Sequence, residues 1–207
     1  MNFHFNELIR AFVLLFAVID PIGAVPVFLA ATNKFDAGVR RRTAVRATII
    51  AAGILLFFIV VGQPLIEHME ISLPAFQASG GLVLLIFALT MIFGNGSHGS
   101  GGDDVADYQH VAVFPLAIPG IATPGAILSV VLLTDNNVYG FWHQAVTTGI
   151  VFLILAITLG LLLIAPRIQK AIGKPGITVI TKIMGLLLCG IAMESILAGI
   201  KAYFTAK

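Results

Sequence analysis

Charge is scarce in this chain: 11% of its 207 residues are Asp, Glu, Lys or Arg, against roughly a quarter in a soluble domain. With 58% hydrophobic residues and a mean hydropathy of +1.02, the composition excludes an ordinary soluble domain and assigns the chain to a bilayer. Cysteine is nearly absent. The single Cys189 sits inside an apolar run, which excludes an intramolecular disulfide framework and reads as a small packing residue. The net charge of +2 gives no basis for nucleic-acid binding. No phosphate-cradling glycine loop is present to drive primary transport. None of His4, His68, His98, His110 or His143 stands beside an intramembrane nucleophile or in a metal motif, so neither an enzyme nor a cofactor is expected.

What the chain does have is six apolar runs: Leu8 to Ala31, Thr43 to Ile66, Leu73 to Phe93, His110 to Leu133, Phe141 to Ala165, and Ile177 to Ala202. Each is long enough to cross a ~30 Å hydrocarbon core at ~1.5 Å per helical residue. They are continuous rather than alternating, which selects helices over barrel strands. The first run could imitate a signal peptide ending at Ala30-Ala31, but Glu7 beside Arg10 is no basic n-region, so a retained helix is expected.

Basic residues are placed unevenly. Nine of the twelve (Lys34, Arg40, Arg41, Arg42, Arg46, Arg167, Lys170, Lys174, Lys182) lie in or beside the first and fifth connections. With six spans these share a side, which the positive-inside rule makes cytoplasmic; both termini then lie outside, with the acidic connection Glu67 to Glu70. The third connection, Gly94 to Gln109, is rich in Gly, Ser and Asp and reads as a cytoplasmic linker. Its aspartates with His98 and His110 match no tight metal-ligand template.

Prolines reveal an internal repeat. Asp20-Pro21-Ile22-Gly23-Ala24-Val25-Pro26 in the first run is answered by Ile118-Pro119-Gly120-Ile121-Ala122-Thr123-Pro124-Gly125 in the fourth, and both proline pairs are offset by 98 residues. Gly81 to Ala88 likewise aligns with Gly185 to Ala192 at an offset of 104. Three spans per unit turn the second unit upside down. The expected architecture is an all-α membrane protein of six helices in one domain, built as two inverted three-helix repeats. The first repeat runs from about residue 1 to 94, the linker from 95 to 109 and the second repeat from 110 to 207, with spans 1 and 4 discontinuous.

Proline removes a backbone donor and clashes with the preceding turn, so Pro21, Pro26, Pro119 and Pro124 should interrupt their helices. Freed backbone groups cannot face lipid and must line a cavity or be buried, which is how many midplane sites for small polar solutes are made. Asp20-Pro21 and Thr123-Pro124 each read as an N-cap followed by a first-turn proline. With Gly23, Gly120 and Gly125 they form the candidate substrate site. Asp20 and Glu194 are the acidic residues deep in apolar runs, and ionisable groups there default to proton relays or ion contacts. Asp20 is split between helix cap and proton carrier. Glu194 pairs in the repeat with Thr90 and is expected to line the same cavity, while Lys182 should snorkel to the headgroups.

Ile19-Asp20-Pro21-Ile22-Gly23 through Pro26, Gly80-Gly81 before Met91-Ile92-Phe93, Phe114 to Pro119, and Lys182-Ile183-Met184-Gly185 together resemble the MarC family over essentially the whole chain. The resemblance implies a six-span bacterial inner-membrane protein and, for its SnatA-like branch, proton-linked transport, as export, of small neutral amino acids such as glycine and alanine. Two positions depart from the family pattern: Thr123 stands where glycine is usual, and Lys182 where arginine is. The expected partners are a small-molecule substrate and the bilayer, with no nucleic acid; a homo-oligomer is allowed. The competing reading is a non-transporting membrane scaffold or stress-response protein.

Overall fold

The computed structural model describes residues 5–69, 72–93, 108–134 and 139–205. Most of the connection read as a linker lies outside the described residues. Among them the chain is helical, without strands: α1 (Phe5–Ile19), α2 (Ala24–Ala31), α3 (Ala37–His68), α4 (Leu73–Phe93), α5 (Tyr108–Val111), a wide-turned segment (Ala112–Ile121), α6 (Pro124–Leu133) and α7 (Phe141–Thr205). Gly173, at φ +75° and ψ 168°, divides α7 into α7a (141–172) and α7b (174–205). That left-handed conformation is one glycine reaches without a Cβ penalty. Five helices are long and apolar enough to cross a bilayer, and six spans result when the pair Tyr108–Ile121 and Pro124–Leu133, bent by 59°, counts as one.

Helix α3 starts at Ala37, ahead of the expected Thr43. The extra turns carry Arg40, Arg41 and Arg42, which end an apolar run but are good helix formers. Arg40 then acts as a cap: its Nε donates to Thr32 O at 2.8 Å and its Nη2 to Asn33 O at 3.0 Å, at the end of α2. Cationic donors suit carbonyls left open at a helix C-terminus. Lys182 does the same for α4, its Nζ donating to Ile92 O at 2.5 Å.

Helix α2 is the interior of the bundle, with Ala24 through Leu29 all buried. It packs on α7 and on segment 112–121, while α1 packs on α6. The helix before the first break thus touches the helix after the second, and the helix after the first touches the segment before the second.

On the other side α4 and α7b form an antiparallel pair stitched by glycines. A Cβ on Gly81 would lie 2.9 Å from Ala192 O and 2.9 Å from Ile196 Cγ1; one on Gly185 would lie 3.2 Å from Ala88 O and 2.9 Å from Ile92 Cγ1. Small residues let helix backbones approach where lipid supplies no hydrophobic drive. Overpacking typically costs about 1–3 kcal/mol, so Gly81→Val and Gly185→Val should each lower stability by that order. Thermal unfolding in one detergent checks this, and an unchanged midpoint in either variant would contradict the packing.

Candidate functional site at the two mid-span breaks

The first break is built around Asp20. Its φ of +49° is left-handed, a region that Asp and Asn tolerate better than other side-chain-bearing residues. Its N–H closes the last turn of α1 on Phe16 O at 3.0 Å, and its carbonyl accepts from Ala24 N at 3.0 Å. Its carboxylate Oδ1 accepts from Gly23 N at 2.9 Å. Asp20 therefore ends one half-helix and ties down the turn that leads into the next. Gly23 has to be bare, because a Cβ there would run into the Asp20 carboxylate.

At the second break, residues ahead of proline are driven into extended backbone by clash with the ring. Phe114 (φ −127°, ψ 127°) and Ile118 (φ −128°, ψ 128°) adopt it before Pro115 and Pro119, both with cis peptide bonds. A Cβ on Gly120 would stand 2.7 Å from Pro115 O and 3.8 Å from Val27 of α2. The chain then restarts as α6, with Thr123 at the N-cap in extended conformation and Pro124 in the first turn. Proline is harmless there because a first-turn N–H has no helical acceptor.

Thr123 joins the breaks. Its buried hydroxyl accepts from Ala126 N at 3.0 Å and donates to Val18 O at 2.7 Å, across 105 residues of sequence. The Val18 carbonyl belongs to the last turn of α1, whose carbonyls have no intrahelical partner. One side chain therefore satisfies an orphan donor of α6 and an orphan acceptor of α1. Gly125 lies alongside, its would-be Cβ 3.9 Å from Val18. The break is held from the other side by Gly80, whose would-be Cβ meets Pro124.

The structure brings together Thr123 and Gly125 with the end of α1, and Gly120 with α2, so the two breaks face each other. Pro21 follows Asp20 at the first break, while Pro119 and Pro124 flank the second. Pro26 does not break its helix: it lies in the first turn of α2, where the missing N–H costs little. Glu194 is not brought to the site. Ala192 and Ile196, two residues to either side of it, face Gly81, and two residues are about 200° around a helix, so Glu194 points away and is exposed. Sequence reasoning missed the Val18 carbonyl, for which side chains carry no signal, and the structural use of Gly80, which was visible only as half of a Gly-Gly pair.

A bundle with five or six stretches long and apolar enough to cross a bilayer, and two helix breaks in contact, marks a polytopic α-helical membrane protein. The description "MarC family integral membrane protein" matches residues 5–204, and the chain belongs to that family. It is 33% identical over 205 residues to a UPF0056 membrane protein of Buchnera aphidicola subsp. Schizaphis graminum, covering 99% of this chain and 96% of that one. A UPF0056 membrane protein of Pyrococcus horikoshii is 35% identical (96% and 98% covered), and the UPF0056 membrane protein YhcE of Escherichia coli 32% (98% and 95%). No solved structure matches.

Proposed function

We propose that the chain is a secondary transporter that exports small neutral amino acids, of glycine or alanine size, in exchange with or driven by protons. The observation that carries this reading is the Thr123 hydroxyl bridging the two breaks, 2.7 Å from Val18 O. Around that bond, N-terminal ends of α2 and α6 and C-terminal ends of α1 and segment 112–121 converge within the spans. Helix N-termini favour a carboxylate and C-termini an ammonium, so half-helix ends of both kinds at one place complement a small zwitterion. The substrate site would comprise Asp20, Gly23, Gly120, Thr123 and Gly125, with Asp20 as the proton-coupling group.

The inverted-repeat plan behind this reading is supported by reciprocal contacts. Gly81 rests on Ala192 and Ile196, while Gly185 rests on Ala88 and Ile92; an offset of 104 residues converts each set into the other. The crossed contacts of α1 with α6 and of α2 with segment 112–121 support it too. Arg40 and Lys182, beside the first and fifth connections, cap the ends of α2 and α4, consistent with a basic cytoplasmic face of a bacterial inner membrane and both termini outside.

Counterflow in proteoliposomes loaded with one neutral amino acid tests the function. Uptake of labelled glycine or alanine, driven by the preloaded substrate gradient, is expected to exceed that of protein-free liposomes by about tenfold. No accumulation of any small neutral amino acid would overturn the proposal.

A further inference from the structure

The opening turns of α3 carry Arg40, Arg41, Arg42 and Arg46, and the structure uses them differently. Arg40 is spent inside the protein, on Thr32 O and Asn33 O. Arg41, Arg42 and Arg46 are exposed, and among the described residues no carboxylate pairs with them. The guanidinium of Arg46 lies over the ring of Tyr108, 5.7 Å from its centroid. A contact of that kind occupies one face of the planar cation. Its N–H edge stays open, and that edge is what binds a phosphate bidentately.

Arg42 and Arg46 are four residues apart and so share one face of α3. The same face continues at steps of three and four through Ile49, Gly53, Phe57 and Val60, all of them exposed. Ile49 is 64% exposed and Val60 68%. The stripe therefore turns from cationic to apolar within about one helical turn, on a helix long and apolar enough to cross a bilayer. From Arg46 to Phe57 it rises about 17 Å at ~1.5 Å per residue, close to one leaflet of a ~30 Å hydrocarbon core. In the middle of that rise, Gly53 has nothing within 4 Å of the position a Cβ would take. Ile49 stands one turn before it and Phe57 one turn after, so the bare backbone leaves a notch between two apolar side chains.

We infer that this stripe is a site for one anionic phospholipid, its phosphate held between Arg42 and Arg46 and an acyl chain laid along Ile49, Gly53 and Phe57. Charge complementarity selects the headgroup. Two cations on one helix face, with no described counter-ion, match a headgroup of net negative charge, whereas the ammonium of a zwitterionic lipid would bring a further cation to the same place. The notch selects a lipid over free phosphate, because only a lipid has apolar surface to bury against Gly53 and its neighbours. The site lies apart from the two breaks and is independent of what the protein transports.

The test uses the full chain purified in dodecyl maltoside and reads bound lipid by native mass spectrometry, with phosphatidylglycerol and phosphatidylcholine of identical acyl chains as probes. Phosphatidylglycerol is expected to bind the wild type about tenfold more tightly than phosphatidylcholine, the order set by two arginines near an anionic headgroup. Arg42→Gln combined with Arg46→Gln should abolish that preference. Arg10→Gln combined with Lys201→Gln removes the same charge from exposed positions elsewhere and should keep it. Gly53→Leu fills the notch, in a place where no neighbouring atom opposes the new side chain, and should weaken phosphatidylglycerol binding severalfold. An excess of inorganic phosphate should displace none of the bound lipid. Equal binding of the two lipids by the wild type overturns the inference, as does an equal loss of preference in the two charge-removing variants. So does displacement by phosphate, or wild-type binding in Gly53→Leu, a measurement that stands even where the double arginine variant does not fold.

Discussion

Replacing Thr123 by valine is expected to destabilise the protein by about 2 kcal/mol and to cut amino-acid counterflow at least tenfold. Valine has nearly the shape of threonine, so the packing of this buried side chain is kept and the hydroxyl alone is lost. Two partners are stranded at once: Ala126 N at the start of α6 and Val18 O at the end of α1. A buried group left without its hydrogen bond costs about 1–3 kcal/mol, and an N-cap is worth about 1 kcal/mol. Membrane proteins recover part of such losses by finding substitute partners, which is why the sum is set at the lower end. Thr123→Ser should retain both bonds and most of the function. Thr123→Gly removes the side chain but leaves the backbone free to keep the extended N-cap conformation, which separates the bond from the backbone shape, so it should fall between the two. Thermal unfolding in detergent and counterflow in liposomes read the two effects separately. A valine variant with wild-type stability would mean that the bridge does not hold the breaks together.

Much of the architecture was legible because span length is a one-dimensional property. The run from Leu73 to Phe93 coincides with α4 residue for residue, since the bilayer sets how much apolar sequence is needed and polar connections bound it on both sides. The apolar run begins six residues after the start of α3 because hydropathy marks where apolar sequence starts, whereas the helix already runs through Arg40 to Arg42. Proline was informative only with its position in the helix. Pro21 and Pro119 sit where a helix is interrupted, but Pro26 and Pro64 lie inside α2 and α3, the first harmless in an opening turn, the second in the last turn and a half of its helix.

The site was half legible. Asp20 and Thr123 could be named as caps because capping is local: the acceptor and its N–H are three residues apart. That Thr123 also reaches Val18 could not be read, as the acceptor is a backbone carbonyl 105 residues away. Glu194 failed for a different reason. Its depth follows from counting residues, but its direction around the helix does not, because lipid-facing and protein-facing residues are equally apolar and leave no amphipathic stripe to orient it. The same degeneracy explains why a residue that looked like part of a cavity turns out to face outward.

Asp20 separates capping from proton coupling through two substitutions. Asparagine keeps an acceptor oxygen for Gly23 N, tolerates the left-handed conformation at φ +49°, and cannot ionise. Alanine keeps the Cβ but loses the side-chain hydrogen bond to Gly23 N that offsets the positive φ, worth about 1–2 kcal/mol. Asp20→Ala should therefore lower stability by about 1–2 kcal/mol, while Asp20→Asn stays within about 1 kcal/mol of the wild type. On function the expectations differ. Counterflow exchanges substrate for substrate and needs no net proton movement, so Asp20→Asn should retain it to within a few-fold of wild type. Accumulation driven by an imposed pH gradient needs a group that gains and loses a proton along the path, and here Asp20→Asn should fall by at least tenfold, about 1.4 kcal/mol of lost coupling. Retained gradient-driven accumulation in Asp20→Asn would leave the carboxylate as a cap alone and move coupling to another group. Loss of both activities in a well-folded Asp20→Asn protein would assign the charge to substrate binding instead, where it would face the amino group of the zwitterion.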